Sequence, residues 1–221
     1  MKIAFIGVSN VGAPLADRLQ QLGHSITIAA RDPQSQTVQA ALQRNSALLV
    51  QSPAAAVEAA DVVFLVTPFA AIASAIALLV SALSGKIVVD YTNPIGANLT
   101  HGLQSQTSGG ETVQQLVPDG HVVKAFTIYG HENFEDSDYP DYADLKSAML
   151  IAGTDATAKT VVAELYQQLG YESVDTGDIS SNLPLKHMTL LGTEVLGFSI
   201  YLCLELGKVC LCDESCTNPL Q

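Results

Sequence analysis

Lys2-Ile3-Ala4-Phe5-Ile6-Gly7-Val8-Ser9-Asn10-Val11-Gly12, a helical run to Leu22-Gly23-His24, and then Ser25-Ile26-Thr27-Ile28-Ala29-Ala30-Arg31-Asp32-Pro33 decide the fold. An apolar run breaks at Gly7, a helix-period segment runs from Gly12 to Gly23, and a second apolar run ends at Arg31. Strand, glycine turn, helix and strand in this order form the opening βαβ unit of a dinucleotide-binding fold. Gly7 lets the strand turn sharply, and Gly12, with no Cβ, lets the helix lie close to the strands. The turn residues Ser9, Asn10 and Val11 lead into a helix N-terminus whose free N–H groups suit a pyrophosphate. Ser9 replaces the middle glycine of G-x-G-x-x-G; its Cβ narrows the approach to phosphate while its hydroxyl offers a donor.

The tip of the second strand reads the ribose. An acid there suits the 2′-hydroxyl of NAD, whereas arginine accommodates the 2′-phosphate of NADP. Here the tip is Ala30-Arg31, with Asp32 one residue later. A guanidinium at this point suits a phosphate and stacks on adenine, so the expected cofactor is NADP(H).

Outward from this unit, apolar strands and helix-period segments alternate. Helices are expected over Pro33–Arg44, Pro53–Ala60, through Ile72, Ile76, Leu79 and Leu83, over Glu111–Val117 and Ala156–Leu169, and through Leu183, Leu190, Leu191 and Val195. Strands are expected near Leu48-Leu49-Val50 and over Asp61–Val66, Lys86–Asp90, His121–Phe126, Ala148–Ala152 and Glu172–Val174. Ile95–Gly110 reads as a loop rich in Gly, Ser, Thr and Gln, and Glu132–Asp144 as an acidic loop. The pattern is α/β: a Rossmann-type doubly wound, mostly parallel sheet with helices on both faces and a helical C-terminal segment. Residues 1–191 form the nucleotide-binding domain, and 192–221 a helical or irregular tail.

A chain of 221 residues with 48% hydrophobic content has ample core for one such domain. The net charge of −12 argues against nucleic acid and anionic membranes as partners. No apolar run is long enough to span a bilayer, and Met1 leads straight into the first strand without a basic-plus-apolar leader, so a cytoplasmic location is expected. The cysteines, Cys203, Cys210, Cys212 and Cys216, follow no familiar zinc spacing, and no metal is expected.

Ligands of doubly wound sheets lie outside the carboxyl ends of the strands. Thr67-Pro68 and Asn93-Pro94 each place a rigid proline just past a strand, and Phe126-Thr127 ends another. These residues are candidate walls for ribose or nicotinamide. The histidines are scattered and no H-E-x-x-H or G-x-S-x-G is present. No acid–base constellation stands out. Transfer between two redox cofactors can proceed by stacking and orientation, because the cofactors carry the chemistry.

Ile6–Gly12, Ala30–Pro33, Asp90–Pro94, Val123–Thr127 and Asp175-Thr176-Gly177 resemble the NADPH-dependent reductases of the deazaflavin coenzyme F420. They are also similar to the cytosolic reductase domains of the STEAP ferric reductases. The resemblance runs from Met1 to about Leu191. It implies a single-domain, homodimeric oxidoreductase that passes hydride between NADP(H) and a flavin-like acceptor, F420 first. The alternatives are a ferric or flavin reductase domain with a separate partner, and a non-catalytic NADP(H)-sensing module. Ala30 stands where relatives often carry Ser or Thr, and the tail resembles neither family.

Overall fold

The computed structural model describes residues 1–8, 11–96, 100–126, 134–135, 137, 146–196, 201–205 and 208–212. The opening unit consists of strand β1 (Lys2–Ile6), helix α1 (Gly12–Gln21) and strand β2 (Ser25–Ala29). β1 and β2 run parallel from Lys2↔Ser25 to Phe5↔Ile28. Helix α2 (Gln36–Arg44) returns the chain to the edge strand β3 (Leu49–Gln51), and α3 (Pro53–Ala59) carries it to β4 (Val62–Leu65) on the other side of β1. Next come α4 (Ile72–Ile76), α5 (Val80–Leu83), β5 (Ile87–Asp90), α6 (Gly109–Leu116) and β6 (His121–Lys124). The described chain continues with β7 (Ala148–Gly153), α7 (Ala156–Gln168), β8 (Glu172–Asp175) and α8 (Asn182–Leu196).

Eight strands form one sheet in the order β3-β2-β1-β4-β5-β6-β7-β8. Its pairings are parallel except β6 with β7, which is antiparallel at Val123↔Gly153 and Lys124↔Ala152. This is the doubly wound, mostly parallel sheet expected, with an inserted reversal after β6.

The strands are apolar on both faces because both faces are covered. Ile3, Phe5, Val62, Phe64 and Val89 point to the layer of α1, α2 and α7, where Leu15, Leu19, Val38, Val162 and Leu165 meet them. The alternate residues Ala4, Ile6, Val63, Leu65 and Val88 point to the layer of α3 to α6, against Val57, Ile72, Ile76, Leu83 and Val113. Leu185 of α8 packs on Ala148, Leu150 and Ala152 of β7.

Three expectations shift for local reasons. Helix α2 starts at Gln36 rather than Pro33, because the Asp32 carboxylate accepts the Gln34 N–H at 2.9 Å and holds a turn there. Helix α6 starts at Gly109: Ser108 caps it, with Glu111 as the third residue of a reciprocal capping box. The helix expected through Ile72 to Leu83 is broken at Ala77–Leu79, where the Leu79 N–H bonds the Ile76 carbonyl at 2.8 Å in a tighter turn. Ile72, Ile76, Leu79 and Leu83 stay buried regardless.

In the tail, α8 runs to Leu196, and β9 (Tyr201–Glu205) pairs antiparallel with β10 (Lys208–Cys212). Part of the segment expected to be helical or irregular is therefore a hairpin. Most of the acidic loop expected over Glu132–Asp144 lies outside the described residues. Among the described residues no helix is long and apolar enough to cross a membrane.

Candidate functional site: the strand-end cleft

The carboxyl ends of β1, β2 and β4 enclose a cavity of about 290 Å³ lined by Gly7, Val8, Ala30, Arg31, Asp32, Ser35, Thr37, Pro53 and Thr67, among others. Backbone geometry opens it. Gly7 holds φ +100°, and a Cβ there would lie 2.7 Å from the Val66 carbonyl oxygen. A side chain at this point is excluded by both conformation and space. At Gly12 a Cβ would meet the Gly7 carbonyl oxygen at 3.0 Å, so α1 begins pressed against the turn.

Two of the helix starts at this cleft lack side-chain caps. Ser52, Ser108 and Asp155 cap α3, α6 and α7 with their side chains. Val11 at the start of α1 and Ser35 at the start of α2 make no side-chain cap. Their first-turn N–H groups, and the Ser35 hydroxyl on the cavity wall, suit an anion. Arg31 is exposed at the β2 tip and, among the described residues, has no hydrogen-bond or ion-pair partner. Asp32 engages the Gln34 backbone instead. The buried Thr67 hydroxyl, also on the wall, finds no partner among the described residues.

Of the expected site residues, Gly7, Arg31 and Thr67 thus converge on one cavity, with Val11 and Gly12 at the adjoining helix start. Pro68, Asn93 and Pro94 sit at the ends of β4 and β5, beside it rather than on its wall. Ser9, Asn10 and Thr127 lie outside the described residues.

Phe126, expected as a wall, is corrected to a core residue. Its ring is 1% exposed and packs against Phe64, Tyr91, Phe134 and Tyr166, the last with centroids 4.5 Å apart. Its backbone holds φ 54°, which a bulky residue seldom adopts. The Phe126 N–H donates to the Tyr166 hydroxyl at 2.7 Å and fixes that turn.

A polar cluster that sequence reasoning missed lies at the ends of β5 and β6. Asp90 and Lys124 are register partners, both fully buried and paired at 3.3 Å. The other Asp90 oxygen accepts from the Thr92 N–H at 2.8 Å and the Thr92 hydroxyl at 2.7 Å, and the Lys124 ammonium also donates to the Thr92 carbonyl. Desolvation lowers the Lys124 pKa while the Asp90 carboxylate opposes that shift. Together they hold the Thr92-Asn93-Pro94 turn rigid.

From α8 the buried Lys186 amine donates to Asn93 Oδ1. Burial drives the Lys186 pKa down to about 6, the nearby Lys124 adds to the shift, and Asp90 opposes it. His101 and His187 stand close by with ring centroids 5.5 Å apart. The His101 pKa is lowered by desolvation first, then by His187 and Lys186. Two signals for this cluster were available. Asp90 and Lys124 are opposite charges ending two apolar strands, and Lys186 follows Leu183 by three residues and precedes Leu190 by four, a core position of the helix period. Among the described residues no three His, Cys, Asp or Glu side chains are grouped to hold a metal.

A glycine-turned strand–helix–strand unit, an open cleft at its strand ends and a cationic β2 tip define a Rossmann-type dinucleotide-binding protein. Comparison with known proteins agrees with the resemblance read from the sequence. Residues 2–94 match the family described as NADP oxidoreductase, coenzyme F420-dependent. The chain is similar to an F420-dependent NADP reductase of Methanocaldococcus jannaschii, 34% identical over 59% of this chain and 60% of that one. It is also similar to the metalloreductase STEAP3 of Rattus norvegicus, 29% identical over 81% of this chain and 34% of that one. The chain therefore spans less than two thirds of either relative's length. Among solved structures, a protein of Arthrobacter sp. FB24 provisionally assigned as an F420-dependent NADP reductase superposes with a TM-score of 0.79. It is 28% identical, with 88% of this chain and 93% of that one covered.

Proposed function

We propose that this chain is an NADP(H)-dependent oxidoreductase that transfers hydride between the nicotinamide and a flavin-like acceptor, coenzyme F420 first. The observation that carries the cofactor is the cavity at the β2 tip, where Arg31, Ser35 and Thr37 gather beside uncapped helix starts and, among the described residues, no acid engages Arg31. These residues would hold the 2′-phosphate and the adjoining ribose, and the start of α1 the pyrophosphate. The nicotinamide then falls toward Thr67 and Asn93. When bound, the cofactor supplies the hydride; the chain binds, orients and excludes water.

The choice of F420 follows the likeness to the archaeal reductase, and the likeness to the rat metalloreductase supports a second reading, a ferric or flavin reductase domain with a separate partner. The sensing module loses one reason, because the Phe126 ring stays in the core rather than over the cleft. Homodimerisation and a cytoplasmic setting complete the proposal. The test is NADPH oxidation followed at about 340 nm against F420, FMN, FAD, ferric chelates and simple carbonyls. Turnover with a deazaflavin or flavin is expected. Turnover with carbonyls alone, or with none of these despite tight NADPH binding, contradicts the reading.

A further inference from the structure

We propose that Lys186, acting through Asn93, positions the nicotinamide end of the bound cofactor. The inference rests on the cofactor reading above and adds a residue that neither the glycine motif nor the β2 tip involves. Lys186 is fully buried on α8, far along the chain from the opening unit, and its amine reaches across to Asn93 Oδ1 at the end of β5. Asn93 is half-buried, next to the rigid Pro94 and on a turn already fixed from below by Asp90 and Lys124. A donor on Oδ1 decides which way the amide faces, because Oδ1 accepts and Nδ2 donates. With Oδ1 tied to Lys186, the amide is held in one orientation.

Burying a lysine to hold one amide is costly, whether as an ammonium or as an amine kept neutral below its usual pKa. A second observation points the same way. Asn182 lies one helical turn before Lys186 on the same face of α8. It is fully buried, with neither amide atom partnered among the described residues. His101 Nε2 is likewise buried and unpartnered among the described residues. The Asn182 amide lies against Gly110 of α6, and the unmet His101 nitrogen beside Lys186 is suited to a polar ligand group arriving at the strand ends. The groups acting on Lys186 and its surroundings are Asp90 from β5, Lys124 from β6, His101 from the loop after β5 and His187 from α8 itself. On α6, Glu111 is occupied with the Ser108 backbone and the Thr107 hydroxyl.

The charge on this amine also matters to the ring. Oxidised nicotinamide is cationic and reduced nicotinamide is neutral, so a neutral Lys186 tolerates both, while a protonated one disfavours the oxidised form. The two states exchange near pH 6.

This chain contains no tryptophan, so the fluorescence of bound NADPH reports the ring's surroundings without a tryptophan background. In the wild type, emission from bound NADPH is expected to change with a midpoint near pH 6, and NADP+ to weaken relative to NADPH below it. Lys186→Met is expected to bind NADPH within about threefold of wild type, because the phosphate end is untouched, and to lose the midpoint. With an acceptor present, its kcat falls about tenfold to a hundredfold at unchanged KM for NADPH, the loss expected from a misplaced ring. Lys186→Gln, a neutral donor, recovers emission and turnover in part, without pH dependence.

If Lys186→Met does not fold, Asn93→Leu cuts the same link from its other end and is expected to lose turnover in the same way, at unchanged KM for NADPH. Lys186→Met retaining the wild-type midpoint, or Asn93→Leu retaining wild-type turnover, overturns the proposal. Tight NADPH binding by the wild type with pH-independent emission overturns this proposal alone. No NADPH binding by the wild type overturns the cofactor reading and this one with it.

Discussion

Two ends of one row of strands are built by opposite means. At β1, β2 and β4 the cleft is made by backbone: a glycine at φ +100°, a second glycine under a helix start, and two helices left without side-chain caps. At β5, β6 and α8 the site is made by side chains: Asp90, Lys124, Asn93 and Lys186, buried or half-buried and bonded to one another. The first end suits a ligand whose anionic groups are recognised by N–H donors and one arginine. The second suits a small polar group placed with a defined orientation. The two ends should therefore fail differently when disturbed, the first in affinity and the second in stability and ring placement.

The largest effect is expected at the second end. Asp90→Asn leaves Lys124 in the core without its counter-charge, a change that costs about 3–5 kcal/mol, or roughly 6–20 °C in Tm. Thermal unfolding measures it. A loss of less than about 1 kcal/mol would mean that the pair does not carry the β5–β6 turn.

The next effect belongs to the first end. In the proposed site Arg31 holds the 2′-phosphate, so Arg31→Ala should lose a charge-assisted contact worth about 1.5–3 kcal/mol, roughly a tenfold to hundredfold loss in NADPH affinity. NADH binding and Tm should stay near wild type. Equal losses for both cofactors would remove Arg31 from the phosphate site.

The smallest effect separates charge from packing. Lys186 is neutral in the folded chain above about pH 6 but protonated in the unfolded chain up to about pH 10.5. Between these values the unfolded state binds more protons, so this residue makes stability rise with pH. Lys186→Met removes that slope. The variant should gain stability relative to wild type most at neutral pH, and the gap should narrow as pH rises toward about 10. Parallel stability curves across this range would show that Lys186 carries no shifted titration.

The same contrast explains what could be read in advance. Gly7, Gly12 and Arg31 lie within one βαβ unit of 30 residues or so, where local spacing fixes their relations. The alternating apolar strands gave the layer order because burial on both faces leaves a continuous apolar run. The partnership of Asn93 with Lys186 spans 93 residues and exists only once α8 is laid over β7. No local period announces it. Phe126 was misplaced because a strand end looks alike whether its side chain turns to solvent or into the core. Here the left-handed turn and the Tyr166 hydroxyl send the ring inward. The break within Ile72–Leu83 was hidden for a related reason: a tighter turn preserves the burial of every apolar position that had marked the helix.

The most direct test of the whole account is a crystal structure of the protein with NADP+ bound. The pyrophosphate should lie at the start of α1 above Gly7 and Gly12, the 2′-phosphate against Arg31 and Ser35, and the nicotinamide beside Thr67 and Asn93. A dinucleotide bound elsewhere, or bound with its adenosine end at Asn93 and Lys186, would contradict it.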